Sequence, residues 1–261
     1  MFTYISGATG GLGKTYADIC AGKGYDLFLT GRSEEKLKAL KEQLGEKHPN
    51  IKIEYYPCEL TSDDSRKNLI SHIEEKGFKF DRIINVAGAD IQKPFMDYTP
   101  EKAVFQIRVN CEATLLLTLG LLKNRAEKTE VLTVGSMSGV SPMPYFAIYS
   151  ASKTFLESFF TSLHYELKKE GVKVTTVLPG GMPTRPDLVE EIKKQGLGGK
   201  LSSKPPEFVV KKSLKAVKKN KLICVPGAFN KFLYFMMKIT PKRITLKFIA
   251  KRWAHYRKDA F

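Results

Sequence analysis

Short apolar runs and longer periodic stretches alternate along the chain. Tyr4-Ile5, Asp26–Thr30, Ile51–Tyr56, Arg82–Val86, Val131–Val134 and Lys173–Leu178 have the length of strands, and each gives way to a polar or glycine-containing turn. Between them apolar residues recur three and four positions apart, as Tyr16, Ile19 and Cys20 do, which is the spacing of one helix face. Ser33 stands directly before Glu34-Glu35-Lys36, where its hydroxyl can cap the unpaired N–H groups of a helix. Strands and helices taking turns at this interval predict an α/β fold with a doubly wound parallel sheet flanked by helices. One domain over residues 1–228 and a helical extension over 229–261 account for the pattern. Only Met182–Pro206, rich in glycine, proline and lysine, departs from it; we read it as a long connection serving as a substrate lid.

The 261 residues, 43% of them hydrophobic, suffice for one closed core. No stretch reaches the roughly 18 consecutive apolar residues of a membrane-spanning helix, and the first residues lack a secretory pattern, so a cytoplasmic protein is expected. Cys20, Cys58, Cys111 and Cys224 are far apart and no histidine stands at metal-ligand spacing beside them, which argues against a disulfide scaffold or a metal site.

The net charge of +16 changes the picture because it is localised. Residues 1–192 hold 24 Lys and Arg against 25 Asp and Glu, whereas the last 69 residues hold 19 against 2. Within that basic third, Leu246, Ile249, Trp253 and Tyr256 share one helical face, and Arg243, Lys247, Lys251 and Lys258 share the other. Such a helix either docks its apolar side on its own domain or a second subunit, or lies on an anionic bilayer as a peripheral membrane contact. Nucleic acid is the less suited partner, because no recognised binding module is present.

Candidate chemistry begins at Ser6-Gly7-Ala8-Thr9-Gly10-Gly11-Leu12-Gly13, between the first strand and the first helix. Glycines there let the backbone approach a pyrophosphate, whose charge the helix N-terminus favours. After the second strand comes Thr30-Gly31-Arg32-Ser33. No carboxylate is present to bind a ribose 2′-hydroxyl, and Arg32, with Ser33, offers donors for a 2′-phosphate; NADP(H) is the expected cofactor. Farther on, Tyr149 and Lys153 stand four residues apart, one helical turn, where an ammonium can favour the phenolate. Ser136 precedes Tyr149 by thirteen residues at the end of a strand; this spacing favours it over Ser138 as the hydroxyl that binds a carbonyl.

With these motifs in order, residues 2–230 resemble the classical short-chain dehydrogenases/reductases. The glycine loop is similar to that family's T-G-x-x-x-G-x-G with Ser6 in place of Thr, Asn85-Val86-Ala87-Gly88 to its N-N-A-G, and Pro179-Gly180-Gly181-Met182-Pro183-Thr184 to P-G-x-x-x-T. The resemblance implies a single-domain Rossmann fold and a catalytic set of Asn110, Ser136, Tyr149 and Lys153. In it Asn110 would hold a water, Ser136 would orient the carbonyl, Tyr149 would exchange its proton, and Lys153 would bind the nicotinamide ribose. Implied cofactor contacts are Gly7, Thr9, Gly11, Leu12 and Gly13 at the phosphates, Arg32 and Ser33 at the 2′ position, and Glu59 and Leu60 at the adenine. Asn85, Ala87 and Gly88 would follow, then Tyr149 and Lys153, with Pro179, Gly180, Met182 and Thr184 at the nicotinamide. The family also implies a homodimer or homotetramer.

Met137, Val140, Met143, Pro144, Phe146, Met182 and Leu188 are apolar and expected near the substrate, which suggests a hydrophobic carbonyl or alcohol, steroid-like or 3-oxoacyl in type. The function expected is NADP(H)-dependent interconversion of a carbonyl and a secondary alcohol. A non-catalytic NADP-binding sensor or scaffold is the alternative, and the intact Asn110, Ser136, Tyr149 and Lys153 set argues against it.

Overall fold

A computed structural model describes all residues except Arg185, Gln195, 255–257, 260 and 261. The first half runs β1 (Phe2–Ser6), α1 (Gly11–Ala21), β2 (Asp26–Gly31), α2 (Glu34–Lys47), β3 (Ile53–Pro57), α3 (Asp63–Glu75) and β4 (Phe80–Asn85). It continues through β5 (Ile91–Gln92), α4 (Pro100–Ile107), α5 (Ala113–Lys123), β6 (Arg125–Val134), α6 (Ala147–Glu166) and β7 (Val172–Val177). Then come α7 (Pro186–Lys194), α8 (Gly196–Ser202), α9 (Pro206–Lys218), β8 (Ile223–Cys224), α10 (Ala228–Ile239), α11 (Lys242–Trp253) and β9 (Lys258–Asp259).

Seven parallel strands form one sheet in the order β3-β2-β1-β4-β6-β7-β8. Successive strand residues face opposite layers, and both layers are apolar. Ile5, Leu27, Leu29 and Leu132 pack into one core with α1, α2 and α9, while Tyr4, Phe28, Ile83 and Val131 pack into the other with α3, α5 and α6. Burial on both faces explains why the strands read as continuous apolar runs. The chain winds outward in opposite directions from β1 and β4, leaving a crevice beyond their carboxyl ends, which is where such sheets bind ligands.

Six of the seven sheet strands fall where the apolar runs predict, while the two-residue edge strand β8 and the small β5–β9 pair have no such signal, and the strand lengths differ from the prediction. β1 extends to Phe2–Ser6 and β6 reaches back to Arg125 through polar residues, because backbone pairing to a neighbour needs no apolar side chain. The expected lid carries α7 and α8 instead of an unstructured connection. The helix over Pro100–Lys123 is long and apolar enough to cross a membrane by length and composition alone, yet Ala113, Thr114, Leu117, Thr118 and Leu121 are buried against the domain.

In the second core, the fully buried Phe28 ring meets Phe78 and Phe80 edge-on at centroid distances of 5.1 and 5.7 Å. Truncating it removes these contacts and leaves a cavity. Phe28→Ala is expected to lower unfolding free energy by about 3–5 kcal/mol in urea denaturation, against less than about 0.5 kcal/mol for the exposed Met96→Ala.

Candidate active site

β1 and β4 deliver two backbone segments to the crevice. Gly7 follows β1 at φ 62°, and a Cβ there would stand 2.9 Å from the Cα of Ala87. A Cβ on Gly13 would run into the Gly7 carbonyl. Only glycine permits this turn and this approach. Ser6 Oγ accepts hydrogen bonds from the N–H groups of Val86 (3.0 Å) and Ala87 (3.2 Å), which fastens the two strand ends together. A groove of about 270 Å³ results, with Gly7, Thr9, Gly11, Leu12 and Gly13 on one side and Ala87 and Gly88 on the other. The cradle that a Cβ would fill and the first turn of α1, which lacks a side-chain cap, fit the pyrophosphate of a dinucleotide.

Arg32, Glu59 and Leu60 close the far end of the groove. Arg32 is exposed and makes no ion pair among the described residues, so its guanidinium is available to an anion. Ser33 caps α2, its Oγ accepting from Lys36 N–H at 3.2 Å and keeping its own hydrogen to donate. The Glu59 carboxylate is turned onto Thr61, accepting from its N–H and hydroxyl at 3.1 and 2.9 Å, which leaves main chain and the Leu60 side chain to face an adenine. Buried Arg66 donates to the Leu60 carbonyl and pairs with Glu112. Sequence spacing gave no sign of this brace, since its partners lie 46 residues apart.

Asn110 lies in a π-helical turn, Arg108–Glu112, that joins α4 to α5. The wider turn aims its side chain at the loop after β4. There Oδ1 accepts from Ala89 N–H at 2.6 Å, while Nδ2 donates to Ala89 O at 3.0 Å and Ser152 Oγ at 2.9 Å. Both amide hydrogens are thus engaged, so the side chain braces the loop, and a water has only the remaining lone pair or the main chain to bind. Lys153, one turn along α6, is buried, and its Nζ donates to Val134 O at 3.1 Å. Loss of hydration lowers its pKa to about 8. Asn110 Oδ1 and Lys153 Nζ each come within 3.3 Å of the point where a Gly88 Cβ would stand, so Gly88, Asn110 and Lys153 form one cluster.

Tyr149 stands near Ser136, the hydroxyl that the thirteen-residue spacing singles out. Burial raises the phenol's pKa above its ordinary value, and the hydrogen bond with Ser136 partly opposes this. The Ser136 oxygen also accepts from Ser138 N–H at 3.0 Å, which fixes Ser136 as the inner of the two serines. One expectation is corrected: Lys153 does not draw the phenol toward neutral pH. Its ammonium lies 5.8 Å from the Tyr149 ring centre and is bonded to a backbone carbonyl.

Two other expectations change. Asn85 lines no part of the groove; its amide donates to Thr118 Oγ1 (2.9 Å) and Thr133 Oγ1 (3.2 Å), fixing β4 to α5 and β6. Phe146 is no open pocket wall, being 1% exposed with Trp253 packed on its ring at 5.3 Å. The Pro179 loop lies beside the Ser136 and glycine loops. Pro179 O accepts from Met137 N–H at 3.0 Å, which holds the Pro179 loop to the Ser136 loop. Thr184 crosses the glycine loop, its Cβ 3.1 Å from where a Gly11 Cβ would be. Met182 packs on the first core. Gly180 backs onto Ser202 O and the Asn230 amide, a support from the C-terminal extension with no counterpart in any motif.

Residues 2–195 match the family described as short chain dehydrogenase. A very-long-chain 3-oxoacyl-CoA reductase of Neurospora crassa is 34% identical over 180 residues, covering 67% of this chain and 54% of that protein. The human protein of the same name is 30% identical over 222 residues, covering 82% and 67%. The chain thus spans about half the length of the first of these relatives. Among solved structures, a 7beta-hydroxysteroid dehydrogenase superposes with a TM-score of 0.86 at 23% identity, over 95% of this chain and 96% of that one. A short-chain dehydrogenase from Sphingobium yanoikuyae in complex with NADPH gives 0.75 at 24% identity, over 92% and 96%. Sequence match, sheet order and the assembled crevice agree: the chain belongs to the short-chain dehydrogenase/reductase family, with a Rossmann-like α/β fold.

Proposed function

We propose that the protein is an NADP(H)-dependent oxidoreductase that interconverts a hydrophobic carbonyl compound and its secondary alcohol, with Asn110, Ser136, Tyr149 and Lys153 as its catalytic set. The observation that carries this reading is the half-buried Tyr149 phenol beside Ser136, its pKa raised by loss of hydration, an acid that a mere nucleotide binder has no use for. The names of the 3-oxoacyl-CoA and hydroxysteroid relatives, and the apolar Met137, Met143 and Leu188, support a 3-oxoacyl or steroid-like substrate. Val104, Leu116 and Leu119, apolar and exposed on α4 and α5, support association into a homodimer or homotetramer. The reading includes a cytoplasmic location with peripheral membrane contact through the basic extension.

When bound, a reduced nicotinamide supplies the hydride. The glycine loop and Arg32 would hold its phosphates, and Pro179 to Thr184 would hold the nicotinamide. Ser136 donates to the substrate oxygen and Tyr149 delivers its proton there, forming the alcohol and a phenolate. The raised pKa keeps Tyr149 protonated at neutral pH, which suits reduction. Lys153, charged below about 8, would donate to the nicotinamide ribose and so position the ring.

Tyr149→Phe is expected to lower kcat for ketone reduction by roughly 10²–10⁴-fold, with NADPH binding by fluorescence unchanged. Turnover by the variant at the parent rate, or none by the parent on any carbonyl, would contradict the reading. Arg32→Ala should weaken NADPH binding by about 10- to 100-fold and leave NADH binding unaltered. The pH profile follows from the two shifts. Tyr149 stays protonated across the neutral range while Lys153 loses its charge above about 8, so the reduction rate should fall as pH rises through that value.

A further inference from the structure

α10 and α11 form a hairpin through Thr240 and Pro241 whose inner side is fastened to the domain. Asn230 Nδ2 donates to Ser202 O and Pro226 O at 2.8 and 2.9 Å, Lys238 pairs with Glu157 of α6 at 3.1 Å, and Ile249 is buried. Trp253 covers Phe146, and β9 pairs antiparallel with β5 beside the cofactor crevice. The hairpin's inner apolar residues are therefore used.

Its outer side is apolar as well. Phe232, Phe235 and Ile239 form a stripe along α10, Ile244 and Phe248 lie one turn apart on α11, and all five are between 58% and 67% exposed. Lys231, Lys242, Arg243, Lys247, Lys251 and Arg252 are exposed around them, and the segment from 228 to 254 contains no acidic residue. Aromatic and branched side chains offered to solvent inside a cationic border are the composition of an interfacial helix. A second copy of the hairpin would set like charges against each other, and a phosphate backbone would give the isoleucines nothing apolar to enter.

We propose that this face of α10 and α11 docks on an anionic lipid bilayer, with Phe232, Phe235, Ile239, Ile244 and Phe248 entering the acyl boundary and the lysines and arginines meeting lipid phosphates. The proposal names the membrane partner of the preceding reading and rests on that reading for its purpose, the capture of apolar substrates dissolved in lipid. Because the same hairpin covers Phe146 and backs the Gly180 loop, docking places the substrate side of the crevice next to the bilayer.

The test is flotation of the full chain with phosphatidylcholine vesicles prepared with and without phosphatidylglycerol, at low and high salt, beside a gel shift with duplex DNA. The full chain should float with the anionic vesicles only, and less at high salt. Phe232→Ser/Phe235→Ser/Phe248→Ser should weaken that binding by at least about 100-fold, while its turnover of a water-soluble ketone and its thermal midpoint stay unchanged. Lys242→Glu/Lys247→Glu, which leaves the apolar face intact, should also lose binding. Failure of the full chain to float, equal flotation of the triple variant, or tighter binding to DNA than to vesicles would overturn the proposal. Loss of ketone turnover by the parent would instead count against the catalytic reading, which flotation does not probe.

Discussion

Dehydration of two ionisable side chains at the carboxyl ends of β6 and β4 is the constraint on which the candidate site depends. Lys153 is buried and Tyr149 half-buried, and loss of hydration pushes each toward its uncharged form: the phenol upward, the ammonium down to about 8. A tyrosine in that state is a stored proton, and Ser136 supplies the hydrogen bond that partly offsets the cost of losing it. The sheet makes this possible. Its two apolar faces bury α6 along Ser150, Ser152, Lys153, Leu156 and Phe160, so the turn that carries Tyr149 and Lys153 is held against the strand that ends at Val134.

The same economy of backbone contact shapes the cofactor half. Gly7 lies against Ala87, Gly13 against the Gly7 carbonyl, and Ser6 links β1 to β4 through two N–H groups. The groove is therefore bounded largely by main chain, which suits phosphates, with Arg32 exposed at its rim. Farther in, Arg66 and Asn110 tie the adenine end and the loop after β4 to the helix over Pro100–Lys123.

Much of this was legible because the chemistry is local in sequence. Strand, glycine loop and helix fall within the first 21 residues, Tyr149 and Lys153 share one helical turn, and Ser136 lies a short loop away. Contacts between distant segments were not legible. Asn85 looked like part of the cofactor motif and instead anchors the sheet to Thr118 and Thr133; Asn230 supports Gly180 across fifty residues of chain; Phe146 disappears under Trp253. Polar residues at the start of β6 hid a strand held by backbone pairing. The expected effect of Lys153 on Tyr149 followed from helical spacing alone, and the Val134 carbonyl claims that ammonium first.

The central claim, a phenol held neutral by burial and moderated by Ser136, is tested most directly by titrating Tyr149 in the cofactor-free protein through a ¹³C label on its ring, with and without Ser136→Ala. Titration above the ordinary tyrosine value of about 10, moving higher still in the variant, is the expected result. A phenol that titrates at or below that value and does not respond to the loss of Ser136 would contradict the account.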